Sequence, residues 1–361
     1  MPQTETKLPQ TWVSRLEHDL GTDWGALRKA RGTTNTNRDA LQRAFQGDIA
    51  PDTTLVLFGS IAREEMTSGS DTDWILLVDG QAVPQHLDQQ HVIGEKLQKL
   101  GFVRPGTSGV FGSMVGSHDI VHEIGGEDDT NSNTTRRVLL LLESFPVGNR
   151  EAYDRVRRQI LNRYLRDDHG LQHGIGPLKV PRFLLNDLTR YWRTVTVDFV
   201  YKQRAEAGRK WALRNAKLRM SRKLVFASGL LRCFFCHLDP EAAEARDALA
   251  APQNDASKLL TYLESQLTQV PLELLAQAAS RPKIDKSTAK KLFDSYNQFL
   301  AALDDRDKRE ELESLREPQL STSKAWQEIR QISRDFHSAL LDLFFGEDAE
   351  LKRLSVEYAV F

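Results

Sequence analysis

Two aspartates, Asp71 and Asp73, stand two residues apart at the head of the apolar run Trp74-Ile75-Leu76-Leu77-Val78. Alternate residues of a strand face the same side, so both carboxylates project together from backbones about 6.6 Å apart. Hard oxygen ligands suit magnesium, which keeps several waters and shares substrate phosphates. Phosphoryl-transfer sites that use two such ions place them about 3.5–4 Å apart, a span this pair can bridge. Upstream, Leu55-Val56-Leu57-Phe58 runs into Gly59-Ser60, and a polar loop ending Thr67-Ser68-Gly69-Ser70 leads on to Asp71. Glycine lets the backbone turn sharply after a strand and come close to a phosphate. With a helix starting at Ile61, the amides around Ser60 form a positive pole for an anion, and the Ser60 hydroxyl is a further donor. Catalysis in such a site is mostly positioning and charge stabilisation.

A third carboxylate is needed to complete a catalytic cation site and to help deprotonate an attacking hydroxyl. Asp119-Ile120-Val121-His122-Glu123-Ile124 reads as a third strand, with Asp119 and Glu123 on one face. Asp119 is favoured because an aspartate followed by apolar residues resembles the start of the Asp71 strand; Glu123 is the second choice. An Asp-x-Asp by itself is usually a solvated turn. Its combination with a preceding Gly-Ser and an apolar run before each motif points to chemistry instead.

Positive charge is concentrated in residues 202–223, where Lys202, Arg204, Arg209, Lys210, Arg214, Lys217, Arg219, Arg222 and Lys223 are opposed only by Glu206. On a helix, Lys210, Arg214 and Lys217 stack on one face. Like charges so placed cost energy unless an anion lies among them, which points to a triphosphate or a nucleic-acid backbone. The plain alternative is a solvated helix face. The chain as a whole carries a formal charge of -1, so it is no general polyanion binder and any basic site is local. Lys217, Arg219, Arg222 and Lys223 are the candidates for the terminal phosphates of a nucleotide.

The elements that position these residues form an α+β pattern. Thr53 to Phe58 and Thr72 to Val78 read as strands, residues 83–100 as a helix closed by Gly101, and a Gly-rich stretch spans Gly106 to Gly116. From about residue 134 the chain reads as almost all helical, with strong segments at Arg136–Ser144, Arg150–Arg166, Phe183–Arg204 and Leu213–Leu238. Later helices run near 257–280, 288–303 and 322–345. Residues 1–145 are thus expected to form a catalytic domain, 146–345 a helical domain closing the cleft, and 346–361 a charged tail.

The order of apolar strand, Gly59-Ser60, spacer and Asp71-Thr72-Asp73 within apolar residues resembles the DNA polymerase β-like nucleotidyltransferase superfamily, over about residues 53–124. The resemblance implies a nucleotidyltransferase core with a small mixed sheet, followed here by an all-helical domain. It implies two Mg²⁺ ions, with Mn²⁺ as a substitute, held by Asp71, Asp73 and a third acid on a later strand. It implies a nucleoside triphosphate donor (NTP or dNTP), with basic residues of the helical domain on its terminal phosphates. The helical part resembles bacterial relatives of cyclic-nucleotide and oligoadenylate synthases, some of which make short DNA, RNA or cyclic signals for anti-phage defence, read by an effector protein. Two other readings stay open: transfer of a single nucleotide to a protein, tRNA or small molecule, and a non-catalytic nucleic-acid-binding protein.

The remaining features are bland. No secretory leader and no stretch of the roughly 18 apolar residues a membrane helix needs is visible, so a cytoplasmic location and no membrane partner are expected. Cys233-Phe234-Phe235-Cys236-His237 has the haem-attachment spacing, but the apolar run around it reads as a buried helix. Trp74, Trp192 and Trp211 read as packing. Ser355 and Tyr358, in a mobile tail, are hydroxyls that could accept a nucleotide in a self-modifying reaction.

Overall fold

The computed structural model describes residues 11–103, 109–168, 180–205, 208, 210–251, 255–316 and 319–360. Arg209 and residues 104–108 of the Gly-rich stretch lie outside them. Four strands make one mixed sheet: β1 (Thr53–Phe58), β2 (Asp73–Val78), β3 (Ser113–Gly116) and β4 (Ser144–Val147), in the order β3-β2-β1-β4. β1 is antiparallel to both β2 and β4, and β2 is parallel to β3. β1 is buried along its whole length, as its unbroken run of apolar and β-branched residues requires of a central strand.

The two faces of the sheet have different partners. Leu55, Leu57, Trp74, Leu76 and Val147 pack on Leu41, Phe45, Ile93 and Leu97 of the Gly25–Ala44 and Pro84–Lys99 helical region. Val56, Phe58, Ile75, Leu77 and Val115 belong to a second core that runs without a break into the helices as far as Leu354. The alternation of β2 therefore sends Trp74 to the first face and Asp73 to the face shared with the helical part.

The sequence reading fails at the third strand. Asp119 lies on a one-turn helix, Ser117–Val121, with Glu123 just beyond it, and the strand is the preceding Ser113–Gly116. β4 was hidden by its length, four residues with Pro146 among them, and it carries the sheet past residue 145. The helical part otherwise follows the expected spans, including Arg150–Arg166, Arg182–Ala205 and Lys324–Phe345. The expected 257–280 helix is two, Ser257–Gln266 and Pro271–Ala279, because Pro271 starts a new one.

The expected tail is also folded. Ala349–Leu354 is a helix that continues as a π-turn, Ser355–Val360, with Leu351, Leu354 and Ser355 fully buried. The Ser355 hydroxyl donates to Leu351 O at 2.7 Å, so it is no free acceptor. The N-terminal helices are fastened to the far end of the chain. Trp24 Nε1 donates to Asp294 Oδ1 at 2.9 Å, Ala26 N to Asn297 Oδ1 at 3.0 Å, and Val13 N to Glu273 Oε2 at 3.0 Å. Among the described residues, no helix is long and apolar enough to cross a membrane.

Candidate active site

Three chain segments leave the sheet at one end. Phe58 of β1 is paired with Asp73 of β2 and with Ser144 of β4. Gly59 therefore follows β1 where Asp71 and Thr72 enter β2 and Glu143 enters β4. Gly59 has φ 78° and ψ −143°, a conformation open to glycine alone. A Cβ built there meets nothing within 4 Å, so the backbone angle, and not crowding, demands glycine. The Gly59→Ala variant is expected to lose about 1–3 kcal/mol of stability, measured by urea unfolding.

The helix after Gly59 is short. Ser60–Arg63 makes one turn, and Glu64 ends it in the left-handed region at φ 64°. So short a turn has little dipole. The amides of Ala62 and Arg63 fold back onto Gly59 O, each at 3.0 Å. The Ser60 hydroxyl is buried without a hydrogen-bond partner. The loop between the two motifs is held by the helical part: Ser68 N donates to Asp304 Oδ1 at 3.1 Å, and Arg309 bonds Gly69 O.

Asp71 and Asp73 behave differently. The Asp71 side chain is 58% exposed and meets Lys217 Nζ at 3.2 Å. Partial burial would raise this carboxyl, and the Lys217 ammonium outweighs it, holding Asp71 below the usual carboxylate range. Asp73 is half-buried, and burial together with the charge of Asp71 pushes it up to about 6, against the pull of Arg222. Two acids pressed this close repel each other unless a cation lies between them.

Asp119 does not gather with this pair into a metal-holding group. β3 runs parallel to β2, with Ser113 opposite Ile75 and Gly116 opposite Val78. Asp119 follows β3 on the short Ser117–Val121 helix, and no strand carries it beside Asp73. Asp119 sits instead near Arg136. Glu123 follows it in the chain, two residues past the same short helix. The expected trio of Asp71, Asp73 and Asp119 is therefore not assembled. Among the described residues, no three His, Cys, Asp or Glu side chains gather to hold a metal ion.

The acid at the correct end is Glu143, which the sequence reading passed over. Its side chain is wholly buried; one oxygen accepts from Arg63 and the other from Arg222 Nη1 at 2.6 Å. Arg63 also bonds Glu65 at 2.8 Å. The signal was present: Glu143 is the one acid between the run Val138–Leu142 and the apolar strand that follows.

Two groups of cations come from the basic segment. Trp211–Lys217 and Lys223–Leu238 are joined by a π-turn, Leu218–Arg222, in one helical run. Lys217 and Arg222, five residues apart, turn to Asp71 and Glu143. Arg219 and Lys223 face elsewhere, toward Arg330, Arg334 and His337 of the Lys324–Phe345 helix. Lys210 precedes the run at φ 55° and pairs with Glu313, so it does not stack with Lys217 as expected. Other cations are held in ion pairs. Arg137 is buried between Asp129 and Asp187, and Arg155 and Arg158 pair with Asp79 and Glu264. Cys233 and Cys236 are free and buried in the core, Trp192 stacks on Phe226, and Trp211 packs on Trp326.

The arrangement brings two carboxylates to the rim of the sheet, beside an unpartnered hydroxyl and two cations from the helical part. Asp71 and Asp73 are the groups that could hold a divalent cation, with its remaining ligands from water and phosphate. Residues 38–114 match the family model described as "Nucleotidyltransferase domain", a segment that holds both Gly59-Ser60 and Asp71-Thr72-Asp73. No curated protein matches the chain.

Proposed function

We propose that the chain, whose residues 38–114 match a nucleotidyltransferase domain, acts on nucleoside triphosphates and joins nucleotides through phosphodiester bonds into a short DNA, RNA or cyclic product. The observation that carries this reading is the meeting of Asp71 and Asp73 with Lys217 and Arg222 beside Gly59-Ser60. Carboxylates and cations alternate there, as a metal–triphosphate complex requires. A product of this kind would serve as a signal to an effector protein in anti-phage defence.

In this reading Asp71 and Asp73 hold magnesium, or manganese in its place. The bound cation would neutralise the charge that develops on the transferring phosphoryl group. Gly59 leaves room for the donor's phosphates to approach the backbone, and the Ser60 hydroxyl donates to one of their oxygens. Lys217 exchanges Asp71 for phosphate when substrate enters. Arg222 stays on Glu143 and presents its positive field to Asp73 and the donor. Attack of an acceptor hydroxyl on the α-phosphorus forms the new ester and releases pyrophosphate. The hydroxyl proton passes to Asp73, the less exposed of the two carboxylates.

The test is incubation with each labelled ribo- and deoxyribonucleoside triphosphate, singly and together, with magnesium. The expected result is a nucleotide product that disappears in Asp71→Ala and Asp73→Ala. A product formed only when lysate supplies a protein or tRNA would assign single-nucleotide transfer instead. Wild-type protein that makes nothing in either assay would overturn the enzyme reading.

A further inference from the structure

The second group of cations is not accounted for by the site above. Arg219 and Lys223 are four residues apart along one helical run, and Arg330, Arg334 and His337 follow at spacings of four and three on the Lys324–Phe345 helix. The two helical segments pack together, and their stripes meet: Lys223 Nζ lies 3.3 Å from His337 Nδ1. Arg219, Arg330, Arg334 and His337 are exposed, and Lys223 is half-buried. The acids nearest in sequence on the second helix are engaged elsewhere. Glu328 pairs with Lys308 at 2.7 Å, and Asp335 with Lys291 at 3.6 Å. Among the described residues, no carboxylate pairs with any of the five. Burial and neighbouring cations lower Arg219, Lys223 and His337. An uncompensated cluster of this kind is unfavourable until an anion enters it.

The shape of the cluster indicates the anion. Lys217 and Arg222 occupy the face turned to Asp71 and Glu143, and Arg219 and Lys223 occupy the next face of the same run. The positive surface therefore begins at the catalytic rim and leads away from it across a second helix. From Arg330 to His337 it covers about 10 Å of helix. A compact donor triphosphate already has its partners at the rim; an anion that fits the whole path is a chain of phosphates.

We propose that Arg219, Lys223, Arg330, Arg334 and His337 form a track for the phosphate backbone of a nucleic-acid strand, the acceptor or growing product of the transfer reaction. The proposal deepens the nucleotidyltransferase reading and rests on it for the strand's role, though not for its binding. Contacts of this type set the position of a strand without reading its bases. Occupation of the track would bring the strand's end toward Asp71 and Asp73.

Binding is measured without turnover, in EDTA, by the fluorescence anisotropy of a labelled 20-nucleotide oligothymidylate. Arg330→Glu with Arg334→Glu should weaken binding at least tenfold and, with two cations withdrawn from the phosphate backbone, flatten the log–log salt slope by about 1.4. Arg219→Gln with Lys223→Gln, on the other helix, should act in the same direction, and it decides the matter if the first pair fails to fold. Inorganic tripolyphosphate should compete poorly at equal phosphate concentration. Binding unchanged in folded variants of both pairs would overturn the proposal. So would tripolyphosphate competing as well as the strand, which would give the cluster to a short polyphosphate. An inactive wild-type protein that still binds the strand through these residues would sink the transfer reading and leave the track standing.

Discussion

Replacing Asp73 with asparagine is expected to lower nucleotidyl transfer by about 10³-fold or more, since a bound cation contributes several kcal/mol of charge stabilisation and about 1.4 kcal/mol is tenfold in rate. The fold should survive, and its pH dependence should change in a defined direction. Burial and the Asp71 charge push the Asp73 carboxyl to about 6, above its value of about 3.9 in an unfolded chain. The native protein keeps this proton longer than the unfolded one. The Asp73 contribution to stability is therefore full below pH about 4 and is lost as pH rises through about 6. The loss is on the order of 2–3 kcal/mol in metal-free protein. The asparagine amide does not titrate, so the Asp73→Asn profile should be flatter, and the variant should match or exceed wild type at pH 7 in EDTA. Urea unfolding at pH 4.5 and pH 7 measures this. Magnesium should raise the wild-type melting temperature at pH 7 by relieving the repulsion, and the variant should lose that rise. An equal magnesium shift in both proteins would remove Asp73 from the cation site.

Glu143→Ala is expected to cost about 3–5 kcal/mol in urea unfolding, the largest stability loss at the site. Removing this buried carboxylate takes away the charge shared by Arg63 and Arg222. Arg63 keeps Glu65, but Arg222 loses its paired acid, and a buried charge that loses its partner is strongly destabilising. Glu143→Gln keeps the shape and one acceptor oxygen, so its loss should be smaller. That variant also separates two roles for Glu143. Engaged by two arginines, it acts as a strut that holds Arg222 beside Asp73, and the magnesium-dependent rise in melting temperature should persist in Glu143→Gln. A folded Glu143→Gln protein without that rise would make Glu143 the missing metal carboxylate.

The parts of the fold legible in the sequence are those with strong local signals. β1 is an uninterrupted apolar run between Pro51-Asp52 and Gly59, and β2 begins at the second aspartate. The 150–166 and 182–205 helices follow from apolar periodicity. Asp119 was misplaced because an aspartate followed by Ile-Val has the same local pattern in a strand and in one helical turn. Which of the two forms depends on pairing with β2, and β2 pairs with residues 113–116 instead. β4 is too short to show a period. The site was legible where its residues lie close in sequence, as in Gly59, Ser60, Asp71 and Asp73. Arg63, Glu143 and the 330–337 stripe reach their neighbours from distant parts of the chain, and no spacing rule records that. The basic segment is intermediate. Its charge is visible in the sequence, but its division between two faces depends on the π-turn at Leu218–Arg222.

The second sheet face, with Val56, Phe58, Ile75 and Leu77, shares its core with residues as late as Leu354. On the ribosome, the strands bearing Asp71 and Asp73 emerge before the Arg150–Arg166 helix that packs on β1 and β2. Until that helix emerges this apolar face has no permanent partner, and transient exposure of that kind invites aggregation or chaperone capture. The loop that leads to Asp71 is fixed only once Asp304 and Arg309 have been made, so residues far down the chain complete the approach to the paired aspartates without being among them.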